Sequence, residues 1–265
     1  MMRDEKDGGA APGMNGRAAG LKAMMALAVL TSLLCASAAT SGESSRGGTF
    51  LPLGWDARGE ALGGAATLLS RDAGAAYWNP ANLVFVHSTT FSAGVFRPVE
   101  GLNNLYSTGT VAAGLMDTRV SPDGTVRMRR LALAVSVSHL GLELARGSAW
   151  NEGTAGLAAG FSFNHWNSIG GSVRLLRSWT DLEDADSWGV AYDLGYSTRI
   201  SRHLWAGVMM RNLGCVIHYP EADEELDSSL TIALSLEDLF GRISIEGDVM
   251  MTAGEVDRIL AGEDA

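Results

Sequence analysis

Large apolar residues alternate with small or polar residues along most of the chain after Thr89. Between Trp188 and Thr198, every second residue is bulky or β-branched, and the residues between them are glycine, alanine, serine or aspartate. Alternation with a period of two is the signature of a β-strand with two different faces. It predicts nine antiparallel strands, at 89–96, 105–116, 131–138, 154–163, 168–178, 188–198, 204–213, 230–236 and 242–251.

The two predicted faces admit two interpretations. In a soluble β-sandwich or lipocalin-like barrel, the bulky face would point inward and the other face would meet water. A water-facing sheet usually carries many charged residues, whereas here the second face is glycine, alanine and serine. Its occasional charges include Arg174, Asp193, Arg211 and Glu246. Small residues fit a filled lumen, so we favour a transmembrane β-barrel whose bulky face meets lipid.

The connectors between the predicted strands alternate in length, as in bacterial barrels with short periplasmic turns and longer external loops. Short connectors at 164–167, 199–203 and 237–241 alternate with longer ones at 140–153, 179–187 and 214–228. The connector at 117–126 is long for an inner turn. Nine strands are an odd number, and bacterial barrels close with even numbers. We therefore expect residues 89–251 to form an incomplete barrel, followed by an external loop or truncated end at 252–265.

The amino terminus has the features of an export signal. Arg17 and Lys22 form a basic region, Ala23–Leu34 is apolar, and Ala36-Ser37-Ala38 matches a cleavage site. Residues 1–38 are therefore predicted to be a signal peptide, with Met14 as an alternative start. The apolar part is too short to span a membrane as a helix. Cleavage would remove Cys35 and leave Cys215 as the single cysteine.

Composition and charge restrict the function classes. The chain has 33 glycines and only 19% charged residues. Ordinary soluble domains carry about 25% charged residues. A net charge of −10 argues against a nucleic-acid partner, because such a partner favours a basic surface.

The aromatic residues cluster near predicted strand ends, as in the interfacial girdles of membrane barrels. These are Trp179 and Trp188 beside one external loop, and Phe161, Phe163, Trp166, Trp205 and Phe240 near inner turns.

Candidate chemistry is sparse. The five histidines do not show metal-ligand spacing, and the acidic loops at 181–186 and 221–227 lack the pattern of a calcium loop. No nucleophile–base pair, phosphate loop or nucleotide fingerprint is present in the sequence. We therefore predict that the chain is not an enzyme, with no catalytic residues, no bound metal and no cofactor.

The segment 39–88 precedes the strands and is predicted to comprise a linker and a plug folded into the barrel. Its distinctive part reads LGWDARGEALGGAATLLSRDAGAAYWNPAN from Leu53 to Asn82. This stretch resembles the PorV/PorQ family of outer-membrane proteins, relatives of the FadL-like (OmpP1) channels. The residues that match the family pattern are Ala57, Arg58, Gly59, Gly63, Gly64, Ala65, Asp72, Ala73, Ala75–Ala81 and Leu83. Six of them form the plug motif, which is structural and also a candidate to face a ligand: Asp72, Ala76, Tyr77, Trp78, Asn79 and Pro80. Arg71 stands where the family usually has a second acid, and Asn82 replaces the usual glycine.

The resemblance implies an outer-membrane location, with membrane lipid as the surroundings. It implies a FadL-like function, the uptake or passage of hydrophobic small molecules past the plug. An alternative is a non-channel shuttle or scaffold for the proteins of a type IX-like secretion system. A purely structural outer-membrane barrel is a further alternative.

Overall fold

The computed structural model describes residues 53–98, 103–116, 130–143, 148–181, 186–220, 223–239 and 243–254. The predicted signal peptide, Cys35, Phe240 and most of the predicted end at 252–265 lie outside these residues.

Within the described residues, two short α-helices and a 3-10 helix precede the strands. Helix α1 is Ala57–Ala61, helix α2 is Ala75–Trp78, and the 3-10 helix is Pro80–Phe85. The ten strands are β1 (Thr90–Phe96), β2 (Asn104–Met116), β3 (Arg130–Glu143), β4 (Ala149–Ser162), β5 (Asn167–Thr180), β6 (Ser187–Arg199), β7 (Leu204–His218), β8 (Asp223–Glu225), β9 (Ser229–Leu239) and β10 (Ile243–Thr252).

The strands form one antiparallel sheet in the order β1-β2-β3-β4-β5-β6-β7-β9-β10. All nine predicted strands are confirmed, with boundaries shifted by several residues. The short strand β8 was missed because its acidic sequence has no alternating apolar pattern. It lies in the long connector after β7 and pairs with Val216–His218.

The predicted all-β, antiparallel architecture is confirmed, and within the described residues the sheet is open, with β1 and β10 as its edges, and is not closed into a barrel. Alternation along a strand reports which residues share a face. Closure depends instead on the strand number and on the stagger between strands. The connectors do lie at alternate ends of the sheet, which we call the short-turn end and the long-loop end. The turns 163–166 and 200–203 lie at the first end.

The small-residue face is the buried face, as predicted. In β3, Ala134 is 3% exposed and Ser136 is 9% exposed, whereas Val135 and Val137 are 55% and 53% exposed. Most of the other long strands repeat this alternation along much of their length. The bulky face therefore forms the outside of the described molecule.

Residues 53–88, which we call the inner segment, cover the small-residue face. Trp55 Nε1 donates to Thr110 Oγ1 of β2 at 2.7 Å, and the backbone NH of Leu68 donates to Glu246 Oε1 of β10 at 2.5 Å. The 3-10 helix contacts the five strands from β2 to β6. Because one short segment reaches both sides of the sheet, the sheet curls around it.

Trp205 differs from its prediction. It was expected in an interfacial girdle, but it faces the inner segment and packs on Leu68 and Phe85. The reason is that the inner segment reaches the short-turn end of β7, which alternation within β7 does not reveal.

Glycines in β4, β5 and β6 allow the close approach of the inner segment. A Cβ atom on Gly160 would lie 2.5 Å from Pro80 O, one on Gly170 would lie 2.3 Å from Ala81 N, and one on Gly195 would lie 2.0 Å from Asn79 Oδ1. Real Cβ atoms do not approach other heavy atoms so closely. Glycine is required because backbone lies directly against backbone at Gly160 and Gly170, and the Asn79 side-chain amide lies against Gly195.

None of the helices in the described ranges is long and apolar enough to cross a membrane.

We expect Gly170→Ala to lower the free energy of unfolding by about 1–3 kcal/mol, because the added methyl group overpacks the contact with Pro80 and Ala81. Gly247→Ala is the matched control, since a Cβ there meets no atom within 4 Å. It should change stability by less than about 0.5 kcal/mol. Chemical unfolding followed by tryptophan fluorescence measures both, and equal effects would mean that the inner segment does not lie against β5.

Candidate functional site

The predicted motif forms the junction between α2 and the 3-10 helix. Asn79 has an extended backbone, with φ −164° and ψ 104°, and its Oδ1 accepts a hydrogen bond from Ala81 N at 3.0 Å. Pro80 occupies the first turn of the 3-10 helix, where its missing NH costs nothing. Asn79 therefore caps the 3-10 helix that begins at Pro80.

Two asparagines fasten this junction to β6. Asn79 Nδ2 donates to Ser197 Oγ at 3.3 Å and to Tyr196 O at 3.4 Å. Asn82 Oδ1 accepts from Ser197 Oγ at 2.6 Å, and Asn82 Nδ2 donates to Thr67 O at 2.8 Å. Both amides are fully buried. The side chain of Asn82 links the junction to the sheet and to the preceding loop. A glycine, which the resembled family usually has at this position, would have no side chain to make these contacts.

Tyr77 lies in an aromatic stack beneath a cation. Its ring stacks on Trp55 at 5.0 Å with an interplanar angle of 18°, and it meets Trp78 edge-on at 5.1 Å. The Arg211 guanidinium of β7 lies 4.4 Å from the Tyr77 ring centroid. Arg211 Nη2 also donates to Tyr77 O and Trp78 O, at 3.1 and 3.3 Å, at the carboxyl end of α2. A cation there is favourable because the helix end is partly negative.

Trp78 ties the motif to helix α1. Its Nε1 donates to Asp56 Oδ2 at 3.0 Å, and Asp56 Oδ1 accepts from Gly59 N at 2.8 Å as the cap of α1. The indole lies so close to Gly59 that a Cβ there would come within 2.2 Å of the ring. Burial raises the pKa of the Glu60 carboxyl in the same helix, and the charge of Asp56 raises it further.

Asp72 stabilises a local turn, and Ala76 packs in an apolar cluster. Asp72 Oδ1 accepts from Gly74 N at 2.9 Å, which holds the turn before α2, and its exposed carboxylate lies 3.7 Å from Arg58. Ala76 is 6% exposed in an apolar cluster beneath β2, β3 and β4. The cluster consists of Ala73, Ala75, Ala76, Leu83, Val86, Ala112, Ala132, Ala134 and Ala158.

Arg71 anchors the inner segment to β9. Its two terminal nitrogens donate to the Glu237 carboxylate at 2.8 and 2.5 Å, and its Cζ lies 4.6 Å from the Phe85 ring centroid and 4.4 Å from that of Trp205. The guanidinium is thus held between two rings and a carboxylate. In the sequence, Arg71 is only a departure from the family pattern. Its contact with Glu237 is not visible there, because the two residues are far apart in the chain.

The edge strand β10 is attached to the inner segment through carboxylates. Glu246 accepts from the backbone NH groups of Leu68 and Leu69, at 2.5 and 2.9 Å, and Asp248 accepts from that of Thr67 at 3.3 Å. Acids on the inner face of β10 thereby satisfy backbone donors of the inner segment.

A buried ion pair lies on the inner face of β5 and β6. Arg174 Nε and Nη2 each donate to Asp193 at 2.9 Å, and Ser172 Oγ donates to the same carboxylate at 2.6 Å. Arg174 is 6% exposed and Asp193 is 4% exposed. The sequence revealed both as unusual charges on a small-residue face, but gave no indication that they pair.

The same ion pair supports an irregular part of β7. The register of β6 with β7 shifts twice, between Val190 and Tyr192 and between Tyr192 and Leu194. Asn212 has a φ of +58°, and its backbone NH donates to Asp193 Oδ1 at 3.0 Å. Asn212 Oδ1 accepts from Arg174 at 2.7 Å. Asp193 therefore accepts a hydrogen bond from the backbone NH of Asn212 at this irregular pairing, which is a β-bulge.

A pocket lies at the short-turn end, between the 3-10 helix and the turn joining β4 to β5. It holds about 320 Å³ of empty space, including its open mouth. None of the six motif residues lines it. Its lining residues are Val84, Phe85, Arg130, Ser162, Asn164, His165, Trp166, Asn167, Ser168 and Trp205.

No three histidine, cysteine, aspartate or glutamate side chains within the described ranges are grouped so as to hold a metal ion. Two histidines instead lie against tryptophans on the outer face. The ring centroids of His139 and Trp179 are 5.6 Å apart, and those of His218 and Trp188 are 4.6 Å apart.

Comparison with known protein families, with curated proteins and with solved structures finds no match for the chain. The resemblance carried by the motif at 72–80 therefore stays a prediction.

We expect Arg174→Gln to destabilise the fold by about 3–5 kcal/mol, because it leaves the Asp193 carboxylate buried without its cation. Arg177→Gln, three residues along the same strand and on the exposed face, is the control. Its partner Asp186 is 4.0 Å away in solvent. The loss there should be at most about 1 kcal/mol. Unfolding free energies measure both, and a similar loss for the two variants would contradict the assignment.

We expect Arg71→Lys to lower the free energy of unfolding by about 1–2 kcal/mol. Lysine keeps the charge but cannot make the two-pronged contact with Glu237 while lying between two rings. Arg58→Lys, in an exposed pair with Asp72, is the control. It should change stability by less than about 0.5 kcal/mol. Limited proteolysis of the inner segment, beside chemical unfolding, locates the loss, and unchanged protection in Arg71→Lys would remove the anchoring role.

Proposed function

We propose that the chain is an outer-membrane protein of the FadL-like kind, which takes hydrophobic small molecules into or across the outer membrane. The observation that supports it best is the reversed polarity of the sheet. Large apolar side chains point outward, while glycine, alanine and serine point inward onto the inner segment. A soluble sheet buries its large apolar residues because their transfer out of water drives folding. The outer face therefore requires apolar surroundings.

The exposed apolar surface extends over nearly the whole sheet. Side chains 42–81% exposed are found on eight strands, among them Phe91, Val111, Val135, Leu157, Val173, Leu194, Leu234 and Val249. Soluble monomers rarely expose a continuous apolar patch larger than a few hundred Å². A partner that covers such a surface on all sides is lipid.

The height of the apolar band fits a bilayer. On β3 the outer face runs from Leu131 to His139. That distance is about 26 Å along the strand, at about 3.3 Å per residue. At the usual tilt of about 40°, it corresponds to roughly 20 Å across the membrane, close to the band of about 25 Å in known barrels. Strand β3 has 14 residues, and a spanning strand needs about 9–11.

A polar and aromatic row bounds the band at the long-loop end. His139, Gly153, Arg177, Trp188 and His218 are successive neighbours across β3 to β7. Amphipathic side chains of this kind favour the boundary between hydrocarbon and water. We therefore propose that the long-loop end faces outward and the short-turn end faces the periplasm.

The two edges of the sheet need partners in a bilayer, because an unpaired backbone group in hydrocarbon costs several kcal/mol. We propose that further strands complete the wall between β10 and β1. The inner segment already connects strands near the two edges. It is hydrogen-bonded to β10 at Glu246 and to β2 through Trp55.

For hydrophobic molecules, we propose a sideways path at the irregular β6–β7 pairing. The two register shifts interrupt the ladder there, while Asn212 and Asp193 satisfy polar groups on the inner side. A bulge is a common device for opening or redirecting a strand.

The second candidate is the non-channel partner of a type IX-like secretion system. It is favoured by the dense filling of the interior at the long-loop end, where Tyr106, Leu140, Leu176 and Ile217 are all buried in one cluster. A filled interior suits a scaffold. A source genome that lacks the other components of that system would exclude this candidate.

Val135→Lys should abolish insertion into lipid vesicles, at a cost of about 2–4 kcal/mol for a lysine near the membrane midplane. His139→Lys, on the same face of the same strand at the end of the band, should insert like the unchanged protein. Vesicle flotation measures insertion. Val135 is already 55% exposed, so in a water-soluble protein its replacement by lysine would be neutral. Equal behaviour of the two variants in vesicles would therefore contradict the membrane proposal.

Transport is measured separately, with inserted protein and a fluorescent fatty acid or an aromatic hydrocarbon. Accelerated passage supports the channel proposal. Insertion without passage would favour the scaffold candidate.

A further inference from the structure

We infer that the inner face of β9 and β10 binds a calcium ion through the carboxylates of Glu246 and Asp248 and the hydroxyl of Ser235. The site lies where β10, an edge of the described sheet, meets residues 67–69 of the inner segment. It is carried by two adjacent carboxylates and by two inaccessible oxygens that lack a hydrogen-bond partner. The inference does not depend on the proposed function, because it concerns how the described chain is held together.

The two carboxylates lie side by side. Glu246 and Asp248 are two residues apart on one strand, so both side chains are on the inner face. Asp248 accepts from the backbone NH of Thr67 at 3.3 Å. Glu246 accepts from those of Leu68 and Leu69 at 2.5 and 2.9 Å. Because the donors are successive backbone groups, the two carboxylates are close enough for their charges to interact directly.

Within the described residues, no side-chain cation neutralises this pair. Neither carboxylate forms an ion pair with an arginine or histidine there. Arg71, two residues after Leu69, is instead bound by Glu237. Backbone NH groups offset only part of two negative charges, and a carboxylate removed from water without a counter-charge is costly. A bound cation would supply that counter-charge.

A buried hydroxyl indicates a ligand independently of the acids. Ser235 is directly opposite Glu246 in the pairing of β9 with β10, so its side chain shares the inner face. It is 1% exposed, and its Oγ has no hydrogen-bond partner in the part of the chain that the structure describes. Asp248 Oδ1 is likewise inaccessible and without a partner there. Buried polar atoms are nearly always satisfied, so two such oxygens on one patch point to a ligand between the strands and the inner segment.

The donor set favours a hard divalent cation. All three side chains offer oxygen, and calcium accepts about six to eight oxygen ligands in flexible geometry. Softer metals favour histidine and cysteine, whereas magnesium demands a near-ideal octahedron and loses its water reluctantly. Two carboxylates balance the charge of one calcium ion, and water would complete its shell. With so few protein ligands, we expect a Kd of about 10⁻⁴–10⁻³ M, as in weak extracellular sites.

The ion would fasten the edge strand β10 to the inner segment. It would neutralise the carboxylates that accept from residues 67–69, and thereby remove their mutual repulsion. The anchors of the inner segment on β6 are neutral amides and a hydroxyl, at Asn79, Asn82 and Ser197. Calcium should therefore tighten the side of the inner segment at β10 and leave its attachment to β6 unchanged.

The experiment titrates the full chain, purified in detergent and freed of metal with a chelator, with calcium chloride. Calorimetry measures affinity, and limited proteolysis reports on the chain around residues 67–69. Magnesium chloride at the same ionic strength is the control for simple screening of the two charges. We expect saturable calcium binding, at least tenfold tighter than magnesium binding, and slower cleavage of the inner segment when calcium is bound.

Three variants locate the ion. Asp248→Asn keeps an oxygen for the NH of Thr67 but removes one charge, and it should weaken calcium binding at least tenfold. Ser235→Ala removes the buried hydroxyl without changing the charge, so it should weaken calcium binding severalfold while the metal-free protein stays as stable or becomes more stable. Asp227→Asn, at an exposed acid in the connector before β9, is the matched control and should bind calcium like the unchanged chain.

Circular dichroism and chemical unfolding establish that each variant is folded. No saturable calcium binding, or equal affinity in Asp248→Asn and the unchanged chain, would overturn the inference. Loss of binding in Asp227→Asn alone would place the ion in the connector and would also overturn it. Stability that follows pH without any dependence on calcium would do the same, because a shared proton would then hold the two carboxyl groups together.

Discussion

The contact between the backbone of the inner segment and the glycines of the sheet is the constraint on which the rest of the structure depends. Residues 79–81 approach Gly160, Gly170 and Gly195 so closely that no side chain fits between them. Where the sheet admits backbone against one face, it cannot bury large side chains on that face. At these positions the large apolar residues therefore occupy the other face, which is the outside.

Close approach alone does not hold the inner segment, because buried backbone groups need hydrogen-bond partners. Partners come from different strands: Ser197 of β6 for the asparagines, and Glu246 of β10 for the loop at Leu68 and Leu69. Arg71 adds an ion pair with β9. Each anchor joins residues that are more than a hundred positions apart, so the inner segment and the sheet stabilise one another.

Two interior charges, on Arg174 and Asp193, form an ion pair. Arg174 and Asp193 are buried together and satisfy the backbone of Asn212 where β7 is irregular. A buried charge without a partner is costly. The ion pair therefore compensates two buried charges at the position where the pairing of β7 is irregular.

The sequence by itself determined the nine long strands and the face to which most of their residues belong, because alternation is a local property of a strand. It also marked Arg174 and Asp193 as unusual. Only the tertiary structure decided that these two pair, that Arg71 and Asn82 are anchors and that Trp205 faces inward. Each of these depends on which distant strands become neighbours and how far the sheet curls, and no pattern within a single strand records that.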